Sequence, residues 1–106
     1  MSLAGIDIIE AHREAMEALC RKYRVSRLEL FGSAVEEAFD PKRSDFDSLV
    51  YFDAESPMGP FHQYFDFLGD LKALLGRKVD LVEAAAIRNP YFVDAVNATR
   101  RLIYAS

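Results

Sequence analysis

Three carboxylates and a glycine-serine step are the residues of this chain best placed to do chemistry. Asp45 and Asp47 stand two apart at the head of a hydrophobic run, Asp80 sits between Val79 and Leu81, and Gly32-Ser33 closes an earlier β-favouring run. Side chains two apart in a strand share a face, with Cα atoms roughly 6.5 to 7 Å apart, so Asp45 and Asp47 can project side by side. Like charges that close raise a pKa unless a cation lies between them, and hard oxygen ligands suit Mg²⁺. With Asp80 on a neighbouring strand and facing the same way, the site has three carboxylates. That is enough for two Mg²⁺ ions roughly 3.5 to 4 Å apart, which activate an attacking oxygen and steady a leaving pyrophosphate in nucleotidyl transfer. A glycine turn at the end of a strand exposes backbone N–H groups that a phosphate can approach closely, and Ser33 adds a hydroxyl donor. The anion expected there is a nucleoside triphosphate tail. Each feature alone has an ordinary reading, as a turn, a solvated strand start and a strand-edge acid, so the weight lies in their conjunction.

These residues need strands and helices to hold them. Ile9, Met16, Leu19, Cys20 and Tyr23 recur at helical spacing among charged residues, which predicts one amphipathic helix from Ile6 to Tyr23. Val25 to Phe31 reads as a strand stopped by Gly32 and Ser33, Ala34 to Phe39 as a short helix or turn, and Asp40 to Ser44 as a polar loop. Asp45 to Asp53 is a second strand, broken by Ser56, Pro57, Gly59 and Pro60. Phe61, Tyr64, Phe65, Leu68, Leu71 and Leu75 then fall on one stripe of a core helix ended by Gly76. Lys78 to Glu83 is a third strand, Pro90 opens a last helix through about Asn97, and Arg101 to Tyr104 closes as an edge strand. The alternation predicts an α/β (α+β) fold, a small mixed β-sheet flanked by helices.

Composition narrows the function classes. A chain of 106 residues, 51% hydrophobic and 28% charged, is expected to form one domain over 1–106, with no room for a separate substrate lobe. No apolar run is long enough to cross a bilayer, and Met1 to Ile9 contains Asp7 and no basic stretch, so no signal peptide, no membrane association and a cytoplasmic location are expected. The single Cys20 is expected to be a core thiol. A net charge of −4 argues against strong nucleic-acid binding. Most basic residues, Arg27, Arg100 and Arg101 among them, read as solvated, and neither His12 nor His62 falls near the strand sites.

The run LFGSAVEEAFDPKRSDFDSLVYF resembles the signature of the DNA polymerase β-like nucleotidyltransferase superfamily, in which a strand ending in Gly-Ser precedes Ser-Asp-x-Asp and a hydrophobic strand. KVDLVEA resembles the strand that carries the third carboxylate, and the chain to RNPYFVDAVNATRRLIYAS is similar to prokaryotic minimal nucleotidyltransferases (MNT, MntA-like antitoxins). The resemblance implies the polymerase β-like fold and transfer of AMP from ATP to a tyrosine of a cognate HEPN-domain toxin. It implies that Gly32 and Ser33 bind the triphosphate and that Asp45 and Asp47 ligate two Mg²⁺. Asp80 would be the third ligand and the base toward the acceptor hydroxyl. Family members commonly continue as Gly-Ser-x-Ala-Arg-Gly, whereas here Ala34, Val35, Glu36 and Glu37 follow. Activity weakened by the missing Arg is therefore expected, with Lys42 or Arg43, beside Ser44, as replacement phosphate-binding charge. A second departure is Ser48, where the family strand usually carries Leu.

Two other functions fit the residues. One is a catalytically degenerate protein that neutralises a partner by covering it, through Glu36, Glu37 and the aromatics Tyr64, Phe67 and Tyr91, if these are not simply core. The other is transfer to a small hydroxyl acceptor, with a homodimer supplying the missing wall. A chain this short predicts that a partner protein or a second copy completes the acceptor side, in a homodimer or hetero-oligomer.

Overall fold

A computed structural model describes residues 4–35, 45–53 and 57–106. Helices α1 (Ala4–Ala11) and α2 (Arg13–Lys22) lead into strand β1 (Val25–Phe31) and a tight 3₁₀ turn, Gly32–Val35. Strand β2 (Phe46–Phe52), helix α3 (Pro60–Leu75) and strand β3 (Val79–Glu83) follow. A second 3₁₀ turn (Ala84–Ala86), helix α4 (Pro90–Thr99) and strand β4 (Arg101–Ala105) complete the order. The sheet runs β3-β2-β1-β4, with β1 antiparallel to both neighbours and β2 parallel to β3 through the α3 crossover. This is the small mixed sheet with flanking helices that the alternation predicts. The rest of the expected Ala34–Phe39 helix, the polar loop with Lys42, Arg43 and Ser44, and the acids Glu36 and Glu37 lie outside the described residues.

The two faces of the sheet are covered unequally. Val25, Leu28, Leu30, Phe46, Val50, Val79 and Leu81 bury one face against Ile9, Met16, Cys20, Phe67 and Leu71 of α1 to α3. Ser48, where the related strands usually carry Leu, is buried in the same alternation. Phe31 and Leu49, pointing the other way, pack with Val96 and Phe92 of α4 and with Ala84 and Ile87 beyond β3, while Tyr51 and Val82 lie half-buried alongside. Cys20 is buried in the larger core, which pushes its thiol pKa up to about 12, as expected of an inert core sulfur.

Two helices depart from the sequence pattern. The expected single helix from Ile6 to Tyr23 breaks at His12, whose backbone N–H bonds to Ile9 O at 3.0 Å while its Nδ1 lies 2.8 Å from Ile8 O. The imidazole, in its Nδ1–H tautomer, takes the Ile8 carbonyl that the backbone of an unbroken helix would satisfy. Helix α3 is turned relative to the expected stripe: Gln63, Phe67, Leu71 and Leu75 face inward, while Phe61 is 66% and Phe65 53% exposed. Gln63 donates from Nε2 to Tyr23 O at 2.9 Å, and Phe67 packs 5.6 Å from the Tyr23 ring and 6.0 Å from Phe52. A buried amide that satisfies a backbone carbonyl, next to a large aromatic, decides the rotation against two rings an apolarity count would place inside. Of the aromatics considered for a partner surface, Phe67 is therefore core, Tyr64 is half-buried and Tyr91 is exposed. Gly76 ends α3 in the left-handed conformation at φ 66°, its N–H bonding to Lys72 O.

Candidate functional site

Strand register brings two of the expected carboxylates side by side, while Asp45 stands just before β2 rather than within it. Asp47 is the cross-strand partner of Asp80 in the parallel β2/β3 pair and of Phe31 in the antiparallel β1/β2 pair. Partners in register point to the same side of a sheet, so Asp47 and Asp80 share the thinly covered face, as Asp80 had to if it was to join the pair. Asp80 is exposed at the edge strand, and Asp45 and Asp47 are half-buried. Burial raises the Asp47 pKa first, followed by the negative charges of Asp80 and of Asp45. None of the three carboxylates has an ion-pair partner among the described residues.

Among the described residues no three His, Cys, Asp or Glu side chains close into a ready-made metal cage. Mg²⁺ does not demand one, because it is usually held by one or two carboxylates with substrate phosphates completing the shell. Asp45, Asp47 and Asp80 do not close into such a cage; the Asp47–Asp80 pair, with oxygen donors and like charges acting on Asp47, has the chemistry that suits such a cation.

The Gly32 turn closes against this carboxylate. Gly32 adopts φ 67°, and a Cβ there would stand 2.9 Å from Asp47 Oδ2, so glycine is required both for the backbone angle and for the space. Gly32 N–H donates to Thr99 Oγ1 at 2.7 Å, so it is engaged by α4 rather than held open for an anion. Ser33 follows in the same 3₁₀ turn. The positions expected to carry extra charge, Lys42 and Arg43, and the expected Ser44 contact are outside the described residues.

Two further residues of this face escaped the sequence pattern. Glu29, 1% exposed, accepts from Arg100 Nε at 2.8 Å and Nη2 at 2.6 Å, and Arg27 lies 3.0 Å from it. The bond to Arg100 is the largest cause of a Glu29 pKa below the ordinary carboxylate range, and burial opposes it. Arg100 also reaches Tyr51 Oη at 2.9 Å and Asn97 Oδ1 at 2.7 Å. Arg100 is thus a clamp on a buried acid rather than a solvated charge. Its signal lay in Glu29 itself, an acid in phase with Phe31 on a strand that is central in the sheet and covered on both faces.

Comparison with known proteins bears on the family and the fold. Residues 12–103 match the family described as a nucleotidyltransferase domain. Among curated relatives, one candidate protein adenylyltransferase of Methanocaldococcus jannaschii is 36% identical over 85 residues, spanning 80% of this chain and 83% of its own length. A second from the same organism is 36% identical over 90 residues, 85% of each chain. Of solved structures, a candidate minimal nucleotidyltransferase superposes with TM-score 0.73 at 26% identity, covering 90% of this chain and 92% of its own. A Shewanella oneidensis tri-AMPylated HEPN toxin in complex with its MNT antitoxin gives TM-score 0.61 at 18% identity, covering 92% of this chain and 72% of that one, a likeness of fold.

Proposed function

The chain belongs to the nucleotidyltransferase domain family, and from that premise we propose that it transfers AMP from ATP, with Mg²⁺, to a tyrosine hydroxyl of a HEPN-type toxin, so acting as the antitoxin. The observation that carries the reading is the cross-strand pairing of Asp47 with Asp80 on the face where the Gly32 turn closes. Protein adenylyltransferase naming among the relatives, and HEPN toxin complexes among proteins of the same fold, support the choice of acceptor.

In this reading Asp45 and Asp47 hold the cation and Asp80 supplies a third oxygen. When bound, Mg²⁺ neutralises the triphosphate oxygens and the charge that develops on pyrophosphate. The acceptor oxygen forms a bond to the α-phosphorus as the bond to the β-phosphate oxygen breaks, and pyrophosphate leaves with the electron pair. The hydroxyl proton passes to Asp80, directly or through one water. Gly32 and Ser33 are the proposed phosphate-binding positions, and Lys42, Arg43 and Ser44 the proposed sources of positive charge and a further hydroxyl.

The test is label transfer from α-labelled ATP and Mg²⁺ to the protein encoded beside this one. Transfer by the wild type and its loss, by about 100-fold or more, in the Asp45→Asn, Asp47→Asn double variant is the expected result. No transfer by the wild type, or unchanged transfer by the variant, rejects it. Glu36 and Glu37, standing near where relatives carry Arg, favour a second reading, neutralisation by cover alone. Survival of toxin neutralisation in the folded double variant would support that alternative.

A further inference from the structure

Resting on that transfer reading, we infer that Thr99 is a positioning residue for the Asp47 carboxylate, acting through the Gly32 backbone. The β1/β2 register ends at Phe31 and the β1/β4 register at Leu30, so Gly32 stands just beyond both ladders. Its amide needs a partner from elsewhere. Thr99 Oγ1 supplies it at 2.7 Å, and the same hydroxyl lies 3.4 Å from Ala95 O, so it can accept from Gly32 while donating back along its own helix. This bond holds the turn in which Gly32, at φ 67° and with no Cβ, leaves Asp47 Oδ2 its room: a Cβ there would stand 2.9 Å from that oxygen. The proposed route runs from the Thr99 hydroxyl to the Gly32 backbone and, by the close approach at its Cα, to the Asp47 carboxylate.

The hydroxyl is itself held in place. Helix α4 fully buries only Val96, and Tyr91 is 83% and Val93 39% exposed, so apolar packing locates the helix weakly. Its C-terminal end is fixed instead by polar bonds: Arg100 grips Glu29 on β1, and Thr99 meets the turn that follows β1. Both anchors attach to the strand whose end faces Asp47. A charge-assisted pair in which one guanidinium gives two bonds to a buried carboxylate leaves little freedom for the residue beside it. Serine preserves the acceptor at 99, valine preserves only the volume, and alanine removes both.

The experiment compares wild type, Thr99→Val, Thr99→Ala and Thr99→Ser. Two quantities are read in metal-free protein by NMR: hydrogen exchange at the Gly32 amide and the carboxyl ¹³C resonance of Asp47. Label transfer to the partner protein is read separately. Valine and alanine should speed Gly32 exchange about fivefold, as loss of a single net hydrogen bond implies, and should displace the Asp47 resonance. Transfer should fall about tenfold, mainly through kcat, and serine should restore all three. A folded valine or alanine variant with unchanged Gly32 exchange or an unmoved Asp47 resonance overturns the inference, as does failure of serine to restore them. Unfolding of both while serine folds also overturns it, since Thr99 would then be structural. A wild type that transfers no label rejects the transfer reading, while the two metal-free measurements still decide the role of Thr99.

Discussion

Asp47 is held where an anion is least welcome: it is half-buried, and the charges of Asp80 and Asp45 both act on it. Such a placement costs stability until a cation arrives, because each like charge and each lost water disfavours the ionised form. Asp47→Asn keeps the shape and removes the charge. It should raise the stability of metal-free protein at neutral pH by a few tenths to about 1 kcal/mol, read as a higher urea midpoint in EDTA. Mg²⁺ should then stabilise the wild type and not the variant. A lower midpoint for the variant in EDTA would remove the claim of strain. Gly32→Ala tests the same pair from the other side. A left-handed alanine costs about 1 to 2 kcal/mol, and its Cβ would push on Asp47 Oδ2 at 2.9 Å, so both the urea midpoint and the Mg²⁺-induced rise in stability should fall. Retention of the full Mg²⁺ response would show that Asp47 does not need the glycine.

The strands were legible because β-favouring residues, period-two alternation and the Gly32 and Pro60 breaks all agreed; the helices were legible in place but not in detail. Local periodicity gives a helix and an apolar arc, yet rotation within that arc is settled by partners far along the chain, here Tyr23 and Phe52 against Phe67 and Gln63. Likewise no local pattern announces that Arg100 reaches Glu29 across 71 residues of sequence. The pairing of Asp47 with Asp80 was readable because alternation and adjacency fix the faces of residues in neighbouring strands, whereas the Thr99 contact depends on where α4 ends. The rotation of α3 is testable. Phe67→Ala should cost about 3 to 5 kcal/mol in urea unfolding, while Phe61→Ala and Phe65→Ala should stay within about 1 kcal/mol. Equal costs would restore the stripe expected from sequence. The α4 clamp carries a pH signature. Glu29 is depressed below the ordinary value of 4.5, so its contribution is complete at neutral pH and is lost as the pH falls from that value through the lower folded one. Glu29→Gln should cost about 2 kcal/mol at pH 7 and much less near pH 3, flattening the acid limb of the stability profile. An acid limb parallel to that of the wild type would refute the clamp.

At the scale of the whole molecule, the asymmetry of the sheet sets what kind of acceptor suits it. Helices α1 to α3 seal one face, while among the described residues the other is covered by α4 and by Ala84 and Ile87, with Asp80 left exposed at the edge strand. Among the described residues no second wall stands over this site to exclude water or to grip a small hydroxyl compound, so alignment of the attacking oxygen is expected to come from contacts made elsewhere on the acceptor. Binding energy from remote surface that goes into orientation appears in kcat as well as in KM. If the proposed transfer to a partner tyrosine holds, a short peptide copied from the segment around that tyrosine should be a poorer substrate than the folded partner by roughly 100-fold or more in kcat/KM, with much of the loss in kcat. Steady-state label transfer to the two acceptors measures this directly. A peptide whose kcat matches that of the intact partner would show that the domain positions tyrosine by itself, and the need for a partner to complete the site would be gone.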